Sequence, residues 1–156
     1  MQGDLIQLAL AGQFDLIAHG ANCFNTMAAG IAKQIRVAFP EANEADLKTI
    51  RGDRVKLGTY SVATVLLPSG KALSILNCYT QYKYWGPGPK INYAALERVF
   101  SAINRQFQGK HLGIPYIGAG LAGGKWHLIE QIILRTTTDL TTTVVTLPPT
   151  ESATNG

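Results

Sequence analysis

Apolar residues come in short bursts along this chain, and their spacing changes from burst to burst. Residues 5–10 and 14–18 are compact apolar runs separated by Ala11-Gly12-Gln13, a pattern that predicts two strands joined by a turn. From residue 28 to 39 the period lengthens. Ile31, Ala32, Ile35, Ala38 and Phe39 recur at helical spacing, with Pro40 as the stop, and a second short helix is expected over residues 41–50. Residues 60–67 and 72–78 are β-branched or apolar runs around Pro68-Ser69-Gly70, which predicts a hairpin. Residues 79–89 turn aromatic and then Gly/Pro-rich, so they are expected as a loop. Asn92 can cap a helix over residues 93–107 with Leu96, Val99, Phe100 and Ile103 on one face. Residues 111–117 predict a buried strand running into a glycine-rich segment. After it come a helix over 126–134, a β-branched strand over 141–147 and a polar tail over 148–156.

The order β-β-α-β-β-α-β-α-β describes an α/β protein with a mixed sheet and helices on its faces. At 156 residues and 46% hydrophobic content, residues 1–147 fit one domain with the tail outside it. No apolar run nears the roughly 20 residues of a spanning helix, and the start Met1-Gln2-Gly3-Asp4 has neither the basic nor the apolar region of a leader. A cytoplasmic protein with free thiols at Cys23 and Cys78 is expected, without a metal site, because no Cys/His pair has ligand spacing. The net charge of +4 favours an anionic partner. The basic residues are scattered, however, so they support a phosphate-bearing small molecule and give no support for nucleic acid.

The candidate chemistry lies in Gly118-Ala119-Gly120-Leu121-Ala122-Gly123-Gly124. A strand that ends in glycines and leads into a helix offers backbone N–H groups to an anion with no side chains in the way. A Walker loop is excluded by spacing and by Trp126, which stands where a magnesium-binding hydroxyl belongs. A dinucleotide fingerprint fits the glycines and would use Asp139 as its ribose acid, but too little chain follows for the two-halved sheet. A glycine turn that only packs helix on strand is the remaining alternative.

Three separated blocks resemble the macrodomain family: Gly3-Asp4-Leu5, then His19-Gly20-Ala21-Asn22 with Gly30-Ile31-Ala32, then Ile114-Pro115-Tyr116-Ile117-Gly118-Ala119-Gly120-Leu121. The resemblance runs along residues 1–147. It is nearest to the ADP-ribose-1″-phosphate phosphatase-like and terminal ADP-ribose glycohydrolase-like proteins. It implies a three-layer α/β/α fold with a mixed central sheet that binds ADP-ribose, ADP-ribose-1″-phosphate or ADP-ribosylated protein at the strand ends, with no cofactor. Asp4, beside the Leu5 backbone, would accept from the adenine amino group, and Asn22 would bond the distal ribose. Gly30, Ile31 and Ala32 would meet one phosphate, while Gly118, Ala119, Gly120, Leu121 and Ala122 would wrap the other phosphate and the ribose. Tyr79, Tyr82, Tyr84 and Trp85 supply aromatic candidates for the adenine wall, and Trp126 is expected to pack.

The glycohydrolase-like branch uses a lysine and a loop aspartate. Here Gln81 and Ala122 fall at those positions, and Lys83 is displaced by two residues. The reaction expected from the resemblance is therefore removal of the 1″-phosphate, with His19 as the proton-transfer group because imidazole titrates near neutral pH. Non-catalytic reading of ADP-ribose and hydrolysis of an ADP-ribosyl ester are the alternatives. Cys23 is a lesser candidate, as a nucleophile.

Overall fold

The computed structural model describes residues 1–120 and 122–147. Leu121 and residues 148–156, including the expected polar tail, lie outside the described residues. The first element corrects the sequence reading: residues 5–10, expected as a strand, form helix α1 (Leu5–Leu10). Its cause is Asp4, whose Oδ1 accepts from Ile6 N at 2.9 Å and Gln7 N at 3.1 Å and so caps the first turn. Leu5, Ile6 and Ala9 are then buried together, a spacing that fits one helical face. The strand that follows starts later than expected and runs further, as β1 (Leu16–Ala21).

Helix α2 (Gly30–Ala38) stops at Phe39, and Pro40 opens α3 (Pro40–Leu47), where its missing N–H costs nothing. A 3₁₀ turn at Arg54–Lys56 leads into β2 (Tyr60–Leu66) and β3 (Ala72–Tyr79), the expected hairpin. Asn92 caps α4 (Tyr93–Gln106) through a bond from Ala95 N. Then come β4 (His111–Ile114), α5 (Trp126–Thr136) and β5 (Thr141–Val144).

The five strands are ordered β2-β3-β1-β4-β5, with β2 antiparallel to β3 and every other pair parallel. This is the three-layer α/β/α arrangement with a mixed sheet. Among the described residues five strands stand where the sequence predicts six, since the first is a helix. Alternation along β1 and β3 divides the core in two. Ile17, Leu73 and Ile75 face the side covered by α1, α2 and α3. Leu16, Ala18, Leu76 and Cys78 face the side of α4 and α5. Strands covered on both faces must be apolar almost throughout, and the parallel strands β1 and β3 meet that requirement. Because β1, β3 and β4 run in one direction, their carboxyl ends reach the same edge of the sheet.

Gly113 in β4 lets the buried Phe14 ring lie flat on the strand; a Cβ there would come within 2.8 Å of ring carbons Cδ2 and Cε2. Phe14 is fully buried and stacked edge-on against His111 at 4.9 Å, so it has nowhere to move. Gly113→Ala is therefore expected to lower unfolding free energy by about 1–3 kcal/mol through overpacking. Urea melts of the two proteins check this.

Candidate functional site

At the carboxyl edge of β1, β3 and β4 the chain leaves a cleft of about 520 Å³. Each strand contributes a wall. Gly20, Ala21 and Asn22 continue β1; Gln81 and Tyr84 follow β3; Pro115, Ile117 and Gly118 follow β4. The first turn of α2 closes the fourth side through Ala29, Gly30, Ile31 and Ala32.

This turn has no side-chain cap: Ala29 occupies the N-cap position and makes no side-chain hydrogen bond. Gly30 sits at φ 57°, a left-handed value that turns the chain into the helix. The first N–H groups of a helix have no intrahelical partner, and together with the helix dipole they form a neutral receptor for an anion. Opposite them, the glycine segment separates into two kinds of residue. Gly118 and Gly124 are demanded by packing, since the Gly124 N–H donates to Gly118 O at 2.7 Å and a Cβ on Gly124 would stand 2.7 Å from that same oxygen. Gly120 is different. It lines the cleft, and a Cβ there would meet nothing within 4 Å. Gly118 thus serves the turn while also lining the cleft, and Gly120 leaves open space in that lining.

Of the residues expected at the site, Asn22, Gly30, Ile31, Ala32, Gly118, Gly120 and Ala122 line this cleft together. Ala119 turns back onto the core under α4 and α5, and Leu121 is outside the described residues. Asp4 lies on the far flank of α2, in a shallower depression with Ile6, Gln7, Lys33 and Gln34, and Leu5 is buried in the core. Among the aromatics, Tyr84 reaches the cleft. Tyr79 is buried, Tyr82 donates to Gly52 O, and Trp85 stacks edge-on against Phe24. Trp126 packs on Tyr116 at 4.7 Å as expected. Asp139 is bonded to Asn104 and does not line the cleft, so it is not the ribose acid of that site. Thr26, Ala28 and Gln81 are cleft residues that the sequence reading did not assign to binding. Thr26 could have been found as the partner of Asn22, four residues away, whose Nδ2 donates to its Oγ1 at 2.8 Å.

His19 requires a correction. It is fully buried, does not line the cleft, and bonds through Nε2 to Asn77 Oδ1 at 2.6 Å. Burial holds the imidazole below its ordinary pKa, against the opposing pull of Asn77 and the Asp46 carboxylate. The ring anchors a polar network under the sheet: Asn77 donates to Ala42 O and Ser61 Oγ, Ser61 bonds the Tyr79 hydroxyl, and that hydroxyl donates to Asp46 Oδ1 at 2.7 Å. Cys23 is also fully buried, and burial pushes its thiol up, away from a reactive thiolate. The cleft lining carries no Asp, Glu, Lys, Arg, His or Cys among the described residues. Lys83 falls instead in a neighbouring groove with Arg54, Lys90, Tyr82 and Trp85.

No protein-family model matches the chain. It is 41% identical over 138 residues to an uncharacterized 17.5 kDa protein of the tk-vs intergenic region of Enterobacteria phage T4, covering 85% of each chain. Among solved structures, the macrodomain of Thermus aquaticus DarG superposes with a TM-score of 0.71 at 21% identity, covering 96% of both chains. Thermosipho africanus DarTG in complex with ADP-ribose gives 0.69 at 18% identity, covering 94% of this chain and 40% of that one.

The His19 environment has a signature in stability. Its folded pKa lies below the unfolded value of 6.5, so the unfolded chain binds the proton first. This contribution is complete above that value and declines as pH falls below it, with a slope of at most about 1.4 kcal/mol per pH unit. Asp15, held low chiefly by the His111 backbone N–H, loses its contribution only below its ordinary 3.8, so the two windows are separate. Denaturant melts between pH 7 and 5 should show the slope in the wild type and a flatter profile in His19→Gln. A flat wild-type profile would contradict the assignment.

Proposed function

The chain belongs to one family with the 17.5 kDa protein of Enterobacteria phage T4 and has the macrodomain fold, and on that footing we propose that its cleft binds ADP-ribose and its 1″-phosphorylated form. The observation that carries this reading is the pair of facing walls, uncapped α2 N-terminus and open Gly120, across a cleft whose lining has no charged side chain among the described residues. A diphosphate needs N–H donors and gains from a helix dipole, and a neutral cleft can supply both without the desolvation of a lysine. Asn22, whose amide carries donors and an acceptor, suits a ribose hydroxyl pair. The carboxylate of Asp4, on the other flank of α2, offers an acceptor to an adenine amino group. The complex of Thermosipho africanus DarTG with ADP-ribose supports the same ligand class.

Binding is the part of this function that the cleft geometry supports directly. Phosphate removal assisted by His19 would need a solvent-reachable imidazole, and His19 is buried beneath the sheet. The described lining contains no group able to take a proton from water at neutral pH. The second reading, release of the 1″-phosphate, keeps one support: a bound substrate brings its own phosphate oxygens and hydroxyls beside the α2 dipole, where a water could be activated without a protein base.

Calorimetry with ADP-ribose, followed by a phosphate-release assay on ADP-ribose-1″-phosphate, tests these readings. Gly120→Glu adds bulk and negative charge at an open position of the cleft, so it should leave the thermal midpoint within a few degrees. It should weaken binding by about a hundredfold or more, a loss near 3 kcal/mol. Wild-type protein that does not bind ADP-ribose would overturn the proposal. Phosphate release by wild type that disappears in Gly120→Glu would establish the second reading over the first.

A further inference from the structure

Lys56 is only 7% exposed, and among the described residues no carboxylate lies within ion-pair distance of it. Taking an ammonium out of water costs several kcal/mol by order of magnitude, and an apolar side chain of like volume at such a place is often neutral or stabilising. The charge is therefore a poor choice for packing alone. Its distinctive contribution is directional: Nζ donates to Cys23 O at 3.1 Å and to Asn25 Oδ1 at 2.5 Å, and it stands 4.8 Å from the centre of the Tyr79 ring.

Both acceptors belong to one turn. Asn25 is held at φ 56°, the left-handed region, and is the one non-glycine residue there among the described residues. Its side chain is fixed on two sides, with Nδ2 donating to Thr49 O and Oδ1 accepting from Lys56. The same turn sets the cleft. Asn22 Oδ1 accepts from Phe24 N at 2.8 Å, and Asn22 Nδ2 donates to Thr26 Oγ1, so the amide of Asn22 is aimed by Phe24 and Thr26, which alternate along the turn with Cys23 and Asn25, the two residues that Lys56 grips. Asn22 and Thr26 line the cleft, whereas Lys56 does not.

We propose that Lys56 is a positioning residue for the cleft: its buried ammonium clamps the 22–26 turn from beneath and thereby presets Asn22 and Thr26 for the ligand. The proposal rests on the reading of the cleft as an ADP-ribose site, and its structural half can be measured without ligand. Lys56→Met keeps the length of the side chain and removes its charge and donors. Its thermal midpoint should stay within a few degrees of wild type or rise. In the unliganded protein, hydrogen exchange at the amides of residues 22–26 should quicken, and the side-chain amide resonances of Asn22 in nitrogen-labelled protein should move toward those of a free amide. Affinity for ADP-ribose should fall by about tenfold.

A clamp that only stabilised the fold would instead lower the midpoint and leave affinity untouched. Asn25→Gly suits the positive φ while deleting the acceptor, and it should produce the same pair of changes. Combined with Lys56→Met it should add less than it costs alone, because the two variants share the loss of the Lys56–Asn25 bond. Exchange at 22–26 and affinity within about twofold of wild type in either single variant would overturn the proposal, as would full additivity in the double variant. If Lys56→Met does not fold, Asn25→Gly decides the question on the same two readouts. Wild-type protein that fails to bind ADP-ribose would refute the reading of the cleft, while the exchange measurement would still decide the clamp.

Discussion

The constraint on which the rest of this structure depends is the parallel pairing of β1 between β3 and β4. Strands that run the same way finish at the same edge, and the segments leaving that edge have to diverge before they can form helices. The divergence is the cleft. From β1 the chain turns through Asn22 to α2, from β3 it passes Gln81 and Tyr84, and from β4 it enters the glycine segment. Each wall is an exit path of a buried strand, which explains why backbone and small side chains, rather than charged ones, form the lining.

The same pairing creates a problem that the sequence solves with polar side chains. β1 and β3 are covered on both faces, yet His19 and Asn77 stand opposite each other in the register and both are fully buried. A buried imidazole and amide are tolerable only when bonded. The run His19, Asn77, Ser61, Tyr79, Asp46 provides partners for the imidazole Nε2 and for the amide across β1, β3, β2 and α3. The network ties the hairpin and α3 to the central strand directly beneath the turn that carries Asn22, so the residue that looks catalytic in sequence is one of the supports of the site.

How much of this was legible in sequence follows from what each pattern encodes. The hairpin, the Asn92-capped helix and the three motif blocks were readable because turn chemistry, capping and glycine spacing are local. Residues 5–10 misled because six apolar-rich residues fit either period, and the deciding fact was whether the Asp4 carboxylate would cap a helix. The cleft residues Asn22, Gly30 and Gly120 were found by motif. His19 was misplaced because a strand-end position does not say which face of a sheet a side chain takes or what covers it. Lys56 gave no signal at all: a lysine in a basic, polar stretch reads as surface, and only the packing of residues 49–56 against 22–26 puts it inside.

The distribution of charge completes the argument for binding. The chain carries a net +4, yet none of it lines the cleft among the described residues; Arg54, Lys83 and Lys90 gather in the groove on the other side of the loop that supplies Gln81 and Tyr84. Charges at that distance act through the long-range field, which raises the rate at which an anion arrives and weakens as salt screens it. In the proposed complex, holding the anion would fall to the helix N-terminus and the glycine segment, whose dipoles are fixed by the fold and need no counter-charge. That division separates capture from retention, and neither half requires a residue that exchanges protons with the ligand. A cleft built in this way suits the proposed phosphate-bearing nucleotide sugar, and among the described residues its lining offers no side-chain acid or base.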